Sequence, residues 1–214
     1  MKNILHSNSI RKGLIVLAAL CVLNSCKKSS DSGTGGTATV KKPKVGTIWT
    51  YRYYVYNSPA AGSGIHTTEV LNYKAKNEVV LAGEKWLNIV NMATDTTIFI
   101  LSEKTGGLYQ YANNSSNLFC KNPAVLNASY TSFNDGSTEI FTVKGVKDTL
   151  VSVIGDIPTN YYEGVKSSVL IDQLWYNENA WIVQRYFYLY TTNPPMPFNY
   201  YYKYSALFLD NIQY

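Results

Sequence analysis

The chain has 214 residues, of which 46% are hydrophobic, 14% aromatic and only 15% charged, and its formal net charge is +5. This apolar and aromatic content excludes a disordered chain, and the charged fraction is low for a globular domain. Two histidines and three cysteines are too few for a histidine-rich zinc site or a disulfide framework, and we predict no cofactor and no metal site.

The first 25 residues have the organisation of a signal peptide. A positive start is followed by the apolar run 13–23, which is about 16 Å long as a helix. This is about half of a bilayer core, so the run is too short to be a spanning helix.

The apolar run ends in Leu23-Asn24-Ser25-Cys26, which resembles the lipobox of bacterial lipoproteins. The resemblance implies that Cys26 is acylated and anchors the mature protein to a membrane by its acyl chains. Cys21 is the competing cysteine, but the residue before it is the bulky Leu20. An ordinary secretory signal that leaves Cys26 as a free thiol is the alternative.

Residues 26–44 are predicted to be the lipidated cysteine and a flexible basic tether, rich in Ser, Gly and Lys. Five lysines and one aspartate give 27–44 a charge of +4, whereas 45–214 has 11 basic and 13 acidic residues, or −2. Because the basic excess lies outside the folded body, we predict no nucleic-acid binding. The basic residues 27–28 after the cysteine favour the periplasmic face of the outer membrane, with the cell surface as the alternative.

Residues 45–214 are predicted to form one antiparallel β domain, because apolar residues alternate with period two between turn-forming residues. We expect no long helix, and 121–138 is the stretch best suited to an irregular loop or one helical turn. The predicted strands are 47–57, 66–76, 78–82, 85–91, 96–102, 107–112, 116–120, 139–145, 148–154, 159–164, 168–177, 180–190 and 200–210.

Alternation within the strands predicts two different faces, one apolar and one rich in tyrosine. In 180–190 the odd positions include Trp181 and Arg185, and the even positions include Tyr186 and Tyr188. A sheet with these two faces has to curl, so we predict a single antiparallel curved sheet that forms a barrel or half-barrel. A two-sheet β-sandwich is the alternative.

Three aromatic segments occur in a recognisable order: 46–51 (GTIWTY), 106–111 (GGLYQY) and 175–183 with its Trp-Tyr start. In this respect 46–210 is similar to uncharacterised gram-negative lipoproteins and to TapB-like and lipoprotein-carrier (LolA/LolB-like) curved-sheet proteins. The resemblance implies a curved antiparallel sheet that holds an apolar ligand, and it implies no catalytic residues. Asn177-Glu178-Asn179-Ala180 stands where a glycine-bearing turn is expected.

No catalytic motif stands out in the chain. His66 is the only histidine after the signal, and no nucleophile elbow accompanies it, so we expect a surface or strand-end role. Cys120 is predicted to be a buried inert thiol. Glu163, Asp172 and Glu178 are the acids that a glycosidase-like hydrolase would use, and solvated strand-end acids are the simpler interpretation.

Three features are not explained by folding alone. Arg185 is predicted to point to the apolar side, where it must either pair internally or receive an anionic group of a ligand. The tyrosine-rich strands fill half-buried positions, or they form a stacking wall for a sugar, lipid or peptide. In the proline-rich loop 191–199, Met196 and Phe198 either pack onto the barrel mouth or contact a ligand.

We therefore predict a non-enzymatic, membrane-anchored lipoprotein that binds an apolar or amphipathic ligand, such as a lipid, or an envelope protein. An accessory carbohydrate-binding lipoprotein is the first alternative, with a glycan stacked on exposed rings, and a hydrolase is the second. The candidate ligand-binding residues are Arg185, Tyr186, Tyr188, Trp175, Tyr202, Met196 and Phe198.

Overall fold

A computed structural model describes residues 38–57, 64–134, 137–191 and 200–214. These ranges hold twelve β-strands and no α-helix, so no helix in them could cross a bilayer. The strands are β1 (Ile48–Tyr56), β2 (Ile65–Leu81), β3 (Glu84–Asn91), β4 (Thr97–Lys104), β5 (Gly106–Ala112), β6 (Ser115–Asn122), β7 (Ser129–Asn134), β8 (Ser137–Ser152), β9 (Gly155–Lys166), β10 (Val169–Asn177), β11 (Trp181–Thr191) and β12 (Tyr200–Gln213).

All twelve strands belong to one antiparallel sheet in the order β6-β5-β4-β3-β2-β1-β12-β11-β10-β9-β8-β7. Every neighbouring pair but one is consecutive in sequence, and the exception is β1 with β12, which joins the two halves of the chain. The sheet curls into a nearly closed barrel, which confirms the predicted fold class. The two-sheet sandwich is wrong, because successive hydrogen-bonded pairs join all twelve strands into one continuous sheet.

The open seam of the barrel lies between β6 and β7, the two edges of the sheet. Here side-chain hydroxyls take the place of a backbone ladder. Tyr130 Oη on β7 donates to Phe119 O on β6 over 2.9 Å, and Tyr162 Oη on β9 donates to Lys121 O over 2.6 Å. These bonds satisfy edge carbonyls that would otherwise be buried without partners.

Three strand predictions need correction. Ser129–Asn134 is a strand rather than a loop, because its residues pair one to one with the start of β8. The predicted strands 66–76 and 78–82 are one strand, β2, and 139–145 and 148–154 are mostly contained in β8. Irregular pairing at 75–77 in β2 and around Gly145 in β8 interrupts the alternation without ending the strand. For this reason the sequence pattern divides each of these strands into two.

The interior of the barrel is filled by aromatic and aliphatic side chains from both halves. Trp49 stacks on Trp181 with ring centroids 5.4 Å apart, and its indole N–H donates to Ala180 O over 3.0 Å. Tyr51 Oη donates to Ile182 O over 2.9 Å. Trp181 has a φ of +65°, a backbone conformation that glycine adopts more easily, at the turn where a glycine was expected.

Candidate functional site

The register of the sheet assigns each candidate side chain to the inside or the outside of the barrel, because residues directly opposite in an antiparallel pair share a face. Asp172, paired with Phe187, and Arg185, paired with Leu174, face the interior. Trp175 pairs with Tyr161 on one side and with Gln184 on the other, and these residues face outward.

Five aromatic rings from five adjacent strands contact one another on the outer face. Tyr161 of β9 stacks on Trp175 of β10 with centroids 4.4 Å apart, and Trp175 meets Tyr186 of β11 edge to face at 5.5 Å. Tyr186 meets Phe208 of β12 at 5.6 Å, and Phe208 meets Tyr54 of β1 at 5.7 Å. All five are half-buried. We call these residues the aromatic row.

Polar side chains form a hydrogen-bonded chain along the β9–β11 part of the row. Tyr188 Oη donates to Gln173 Oε1 over 2.6 Å, Gln173 Nε2 donates to Tyr161 Oη over 2.5 Å, and Tyr161 Oη donates to Glu163 Oε1 over 2.7 Å. Burial, and then the neighbouring Glu163 carboxylate, raise the pKa of Tyr161. The phenol therefore stays protonated at neutral pH and keeps its orientation toward Glu163.

Lys203 of β12 lies over the same face. Its Nζ is 3.7 Å from the ring centroid of Tyr186 and 5.7 Å from that of Tyr56. Partial burial lowers the pKa of Lys203. Among the residues that the structure describes, the ammonium contacts aromatic faces and pairs with no carboxylate.

A cleft of about 430 Å³ opens at the Phe208–Tyr54 end of the row. One wall is the outer face of β1 and β12, and the other is residues 150–153 at the tip of the β8–β9 hairpin, where Val151 is 79% exposed. Arg52 borders the cleft, and its Nε and Nη2 donate to the two carboxylate oxygens of Asp210 over 2.8 and 2.7 Å. The cleft thus has apolar walls and a polar rim.

The interior offers far less room. An apolar gap bordered by Trp49, Tyr51, Tyr73 and Leu207 among others has a volume of about 20 Å³, enough for about one water molecule. Of these two spaces, only the outer cleft is large enough to receive a ligand.

Arg185 and Asp172 form an ion pair inside the barrel, with side chains 4% and 1% exposed. The guanidinium carbon of Arg185 is also 3.9 Å from the Phe187 ring centroid. Glu139 is buried nearby, since a Cβ on Gly164 would stand 3.0 Å from both Asp172 Cβ and Glu139 Oε2. The sequence left two interpretations of Arg185, internal pairing and an anionic group of a ligand. The geometry supports internal pairing.

The structure brings together only part of the predicted site. Trp175 and Tyr186 are in the aromatic row, and Tyr188 borders it. Tyr202 pairs with Leu189, which places it on the opposite face from Tyr188 and Lys203. Cys26, Met196 and Phe198 lie outside the described residues.

The remaining sequence candidates are scattered. His66 is exposed near the start of β2. Cys120 is fully buried, and burial raises the pKa of its thiol. Glu178 lies exposed in the β10–β11 turn, where its carboxylate accepts from Asn122 Nδ2 over 3.2 Å. Within the described ranges, no three His, Cys, Asp or Glu side chains gather as metal ligands.

Sequence reasoning missed Tyr54, Phe208, Gln173 and Lys203. Phe208 and Tyr54 were visible as aromatic residues in alternating strands, but nothing in the sequence gave the β1–β12 pairing that joins them. Lys203 was missed because pairing shifts between Phe187–Ser205 and Tyr188–Lys203. The extra residue, Tyr204, turns Lys203 to the outer face.

Three solved structures are similar to this chain. One, from Bacteroides fragilis and described as an exported protein with a YmcC-like fold, is 12% identical with a TM-score of 0.44, over 83% of this chain and 100% of that one. Another, described as a lipoprotein from Parabacteroides distasonis, is 14% identical with a TM-score of 0.36 over the same shares.

The third is described as an outer-membrane lipoprotein-sorting protein domain from Vibrio parahaemolyticus. It is 8% identical with a TM-score of 0.23, over 81% of this chain and 86% of that one. No protein family and no curated protein sequence matches the chain. The fold described above therefore rests on the strand pairing of the chain itself.

Proposed function

We propose that the protein is a non-enzymatic, lipid-anchored protein of the cell envelope that binds an amphipathic ligand on its outer face. The observation that carries the proposal is the aromatic row, a continuous set of half-buried rings that ends in a cleft of about 430 Å³. Ligand sites combine such apolar walls with a few placed polar groups.

The outer face supports the proposal better than the interior does. Folding of a sheet requires one apolar face, and the interior supplies it with Trp49, Tyr51 and Leu209. A second aromatic face, exposed to solvent, is not needed for this core. When a ligand covers the rest of the surface of half-exposed rings, the burial of that apolar surface stabilises the complex.

A binding role is also supported by the state of the acidic side chains. Asp172 is engaged by Arg185 inside the barrel, and Glu163 accepts from Tyr161. Asp172 and Glu139 share one neighbourhood but are almost completely buried, whereas a pair of hydrolytic carboxylates must flank a bound sugar.

The envelope location and the membrane anchor rest on the sequence. The signal peptide and the lipobox-like segment ending at Cys26 support export and acylation, and the basic tether supports the periplasmic face of the outer membrane.

A glycan is the second candidate ligand, and the hydrogen-bonded chain from Tyr188 to Glu163 favours it. Sugars offer hydroxyls to such amide and carboxylate groups and an apolar ring face to Trp175. Tyr188→Phe, which removes a single hydroxyl, should weaken glycan-array binding while leaving the binding of an apolar probe unchanged.

The test of the proposal is a fluorescence titration with N-phenyl-1-naphthylamine, a neutral amphipathic probe. Trp175→Ala should weaken binding about fivefold or more, because the central ring of the row is lost. Tyr111→Ala is the matched control, since it removes a ring that contacts Trp86 on another part of the sheet. Equal affinity of the wild-type protein and Trp175→Ala would overturn the proposal.

A further inference from the structure

We infer that the ligand of the outer face carries an anionic group, and that Lys203 binds it. This inference rests on the proposed function and names the chemical class of the ligand. It comes from the charge of the site, which the aromatic row alone does not define.

Lys203 is a half-buried cation without a carboxylate partner among the described residues. The side chains near its ammonium are rings: Tyr186 at 3.7 Å and Tyr56 at 5.7 Å. Burial alone, with no acidic neighbour, lowers its pKa. A cation that has lost part of its hydration and has no counter-ion gains most from an incoming anion.

Arg52, the positive group that borders the cleft, is already neutralised. Arg52 is held by both oxygens of Asp210, so its charge is compensated within the protein. The folded part 45–214 has an acidic excess, so Lys203 is not one of a general basic surface. Lys203 is therefore the cation that an anionic group of the ligand would neutralise.

The tyrosines around Lys203 suit an anion as well. Burial raises the pKa of Tyr56 and Tyr186, so each keeps its hydroxyl proton at neutral pH. Protonated phenols can donate hydrogen bonds to carboxylate, sulfate or phosphate oxygens. An ammonium and neutral phenols beside an aromatic row match an amphipathic molecule whose anionic group sits next to an apolar or ring portion.

The experiment compares two probes that share one aromatic skeleton. 1-Anilinonaphthalene-8-sulfonate carries a sulfonate, and N-phenyl-1-naphthylamine is its neutral counterpart. Lys203→Met should weaken binding of the sulfonate about tenfold and leave binding of the neutral probe unchanged, whereas Lys203→Arg should retain both. Lys85→Met, at an exposed lysine on β3, is the control.

Each outcome decides between the claims. If Lys203→Met weakens the binding of both probes equally, or of neither, the inference is overturned and the proposed function still stands. Failure of the wild-type protein to bind either probe would overturn both. Displacement of the sulfonate by dodecyl phosphate or by a uronic-acid disaccharide would identify a lipid-like or a sugar source, and displacement by neither would contradict the inference.

Discussion

Arg185 and Asp172 face each other across two neighbouring strands inside the barrel, and Arg185 Nε donates to both carboxylate oxygens over 3.1 Å. Such a pair is costly to bury, yet removal of one partner is costlier, because the other charge is left without compensation. The guanidinium carbon is also 3.9 Å from the ring centroid of Phe187 and 5.5 Å from that of Phe119. The pair therefore fixes β10 against β11 rather than presenting a free cation to a ligand.

Asp172→Asn should destabilise the fold strongly. We expect a loss of about 3 to 5 kcal/mol in the free energy of unfolding, measured by urea denaturation. The double variant Asp172→Leu/Arg185→Met should lose much less, because no uncompensated charge remains. A loss below 1 kcal/mol in the single variant would show that the interior does not depend on this pair.

The seam between β6 and β7 should depend on two phenolic hydroxyls. Tyr130→Phe and Tyr162→Phe each leave a carbonyl of β6 without its partner, so each should lower stability by about 1 to 2 kcal/mol. Amide hydrogen exchange in β6 and β7 should rise more than in β10 and β11. Tyr204→Phe, at an exposed tyrosine, is the control, and equal effects there would argue against a specific role of the seam.

Binding of the anionic probe should be lost on the alkaline side at a lower pH than an ordinary lysine would give. Partial burial lowers the pKa of Lys203 below its usual 10.5, so the amine becomes neutral sooner as the pH rises. The facing Tyr56, Tyr186 and Tyr188 have raised pKa values and stay neutral in that range. Titrations of both probes from pH 7 to 10.5 should show falling affinity for the sulfonate only. A parallel fall for the neutral probe would indicate unfolding instead.

Cys26→Ser should abolish acylation. We expect no incorporation of labelled fatty acid and accumulation of the unprocessed precursor, both visible on a gel. Cys21→Ser is the matched control and should be labelled and processed normally. Continued labelling and membrane fractionation of Cys26→Ser would show that the lipobox interpretation is wrong.

The sequence predicted the class of fold because alternation is a local property. Trp49 and Tyr51 on β1, and Val183 and Arg185 on β11, each show by a spacing of two that they share a face. The sequence could not give the pairing of β1 with β12, which brings together residues at least 150 positions apart. That pairing places Phe208 next to Tyr54, so the sequence could not show that these two of the five residues belong to the aromatic row.

Bulges limited the prediction of the site in a second way. One extra residue at Tyr204 reverses the parity of β12, so that Lys203 joins the outer face and Tyr202 leaves it. A bulge of this kind has no reliable signature in a strand of alternating tyrosines. Alternation therefore gave the faces of the β11 side chains but not those of Tyr202 and Lys203 on β12.

The central claim is that a ligand binds on the outer face and not in the interior, and the four tryptophans test it directly. Trp175 is half-buried in the aromatic row, whereas Trp49, Trp86 and Trp181 are buried elsewhere. In a ¹H–¹⁵N spectrum of the ¹⁵N-labelled protein, 1-anilinonaphthalene-8-sulfonate should shift the indole N–H signal of Trp175 and leave the other three in place. Shifts at Trp49 and Trp181 with an unmoved Trp175 would place the ligand inside the barrel and contradict the account.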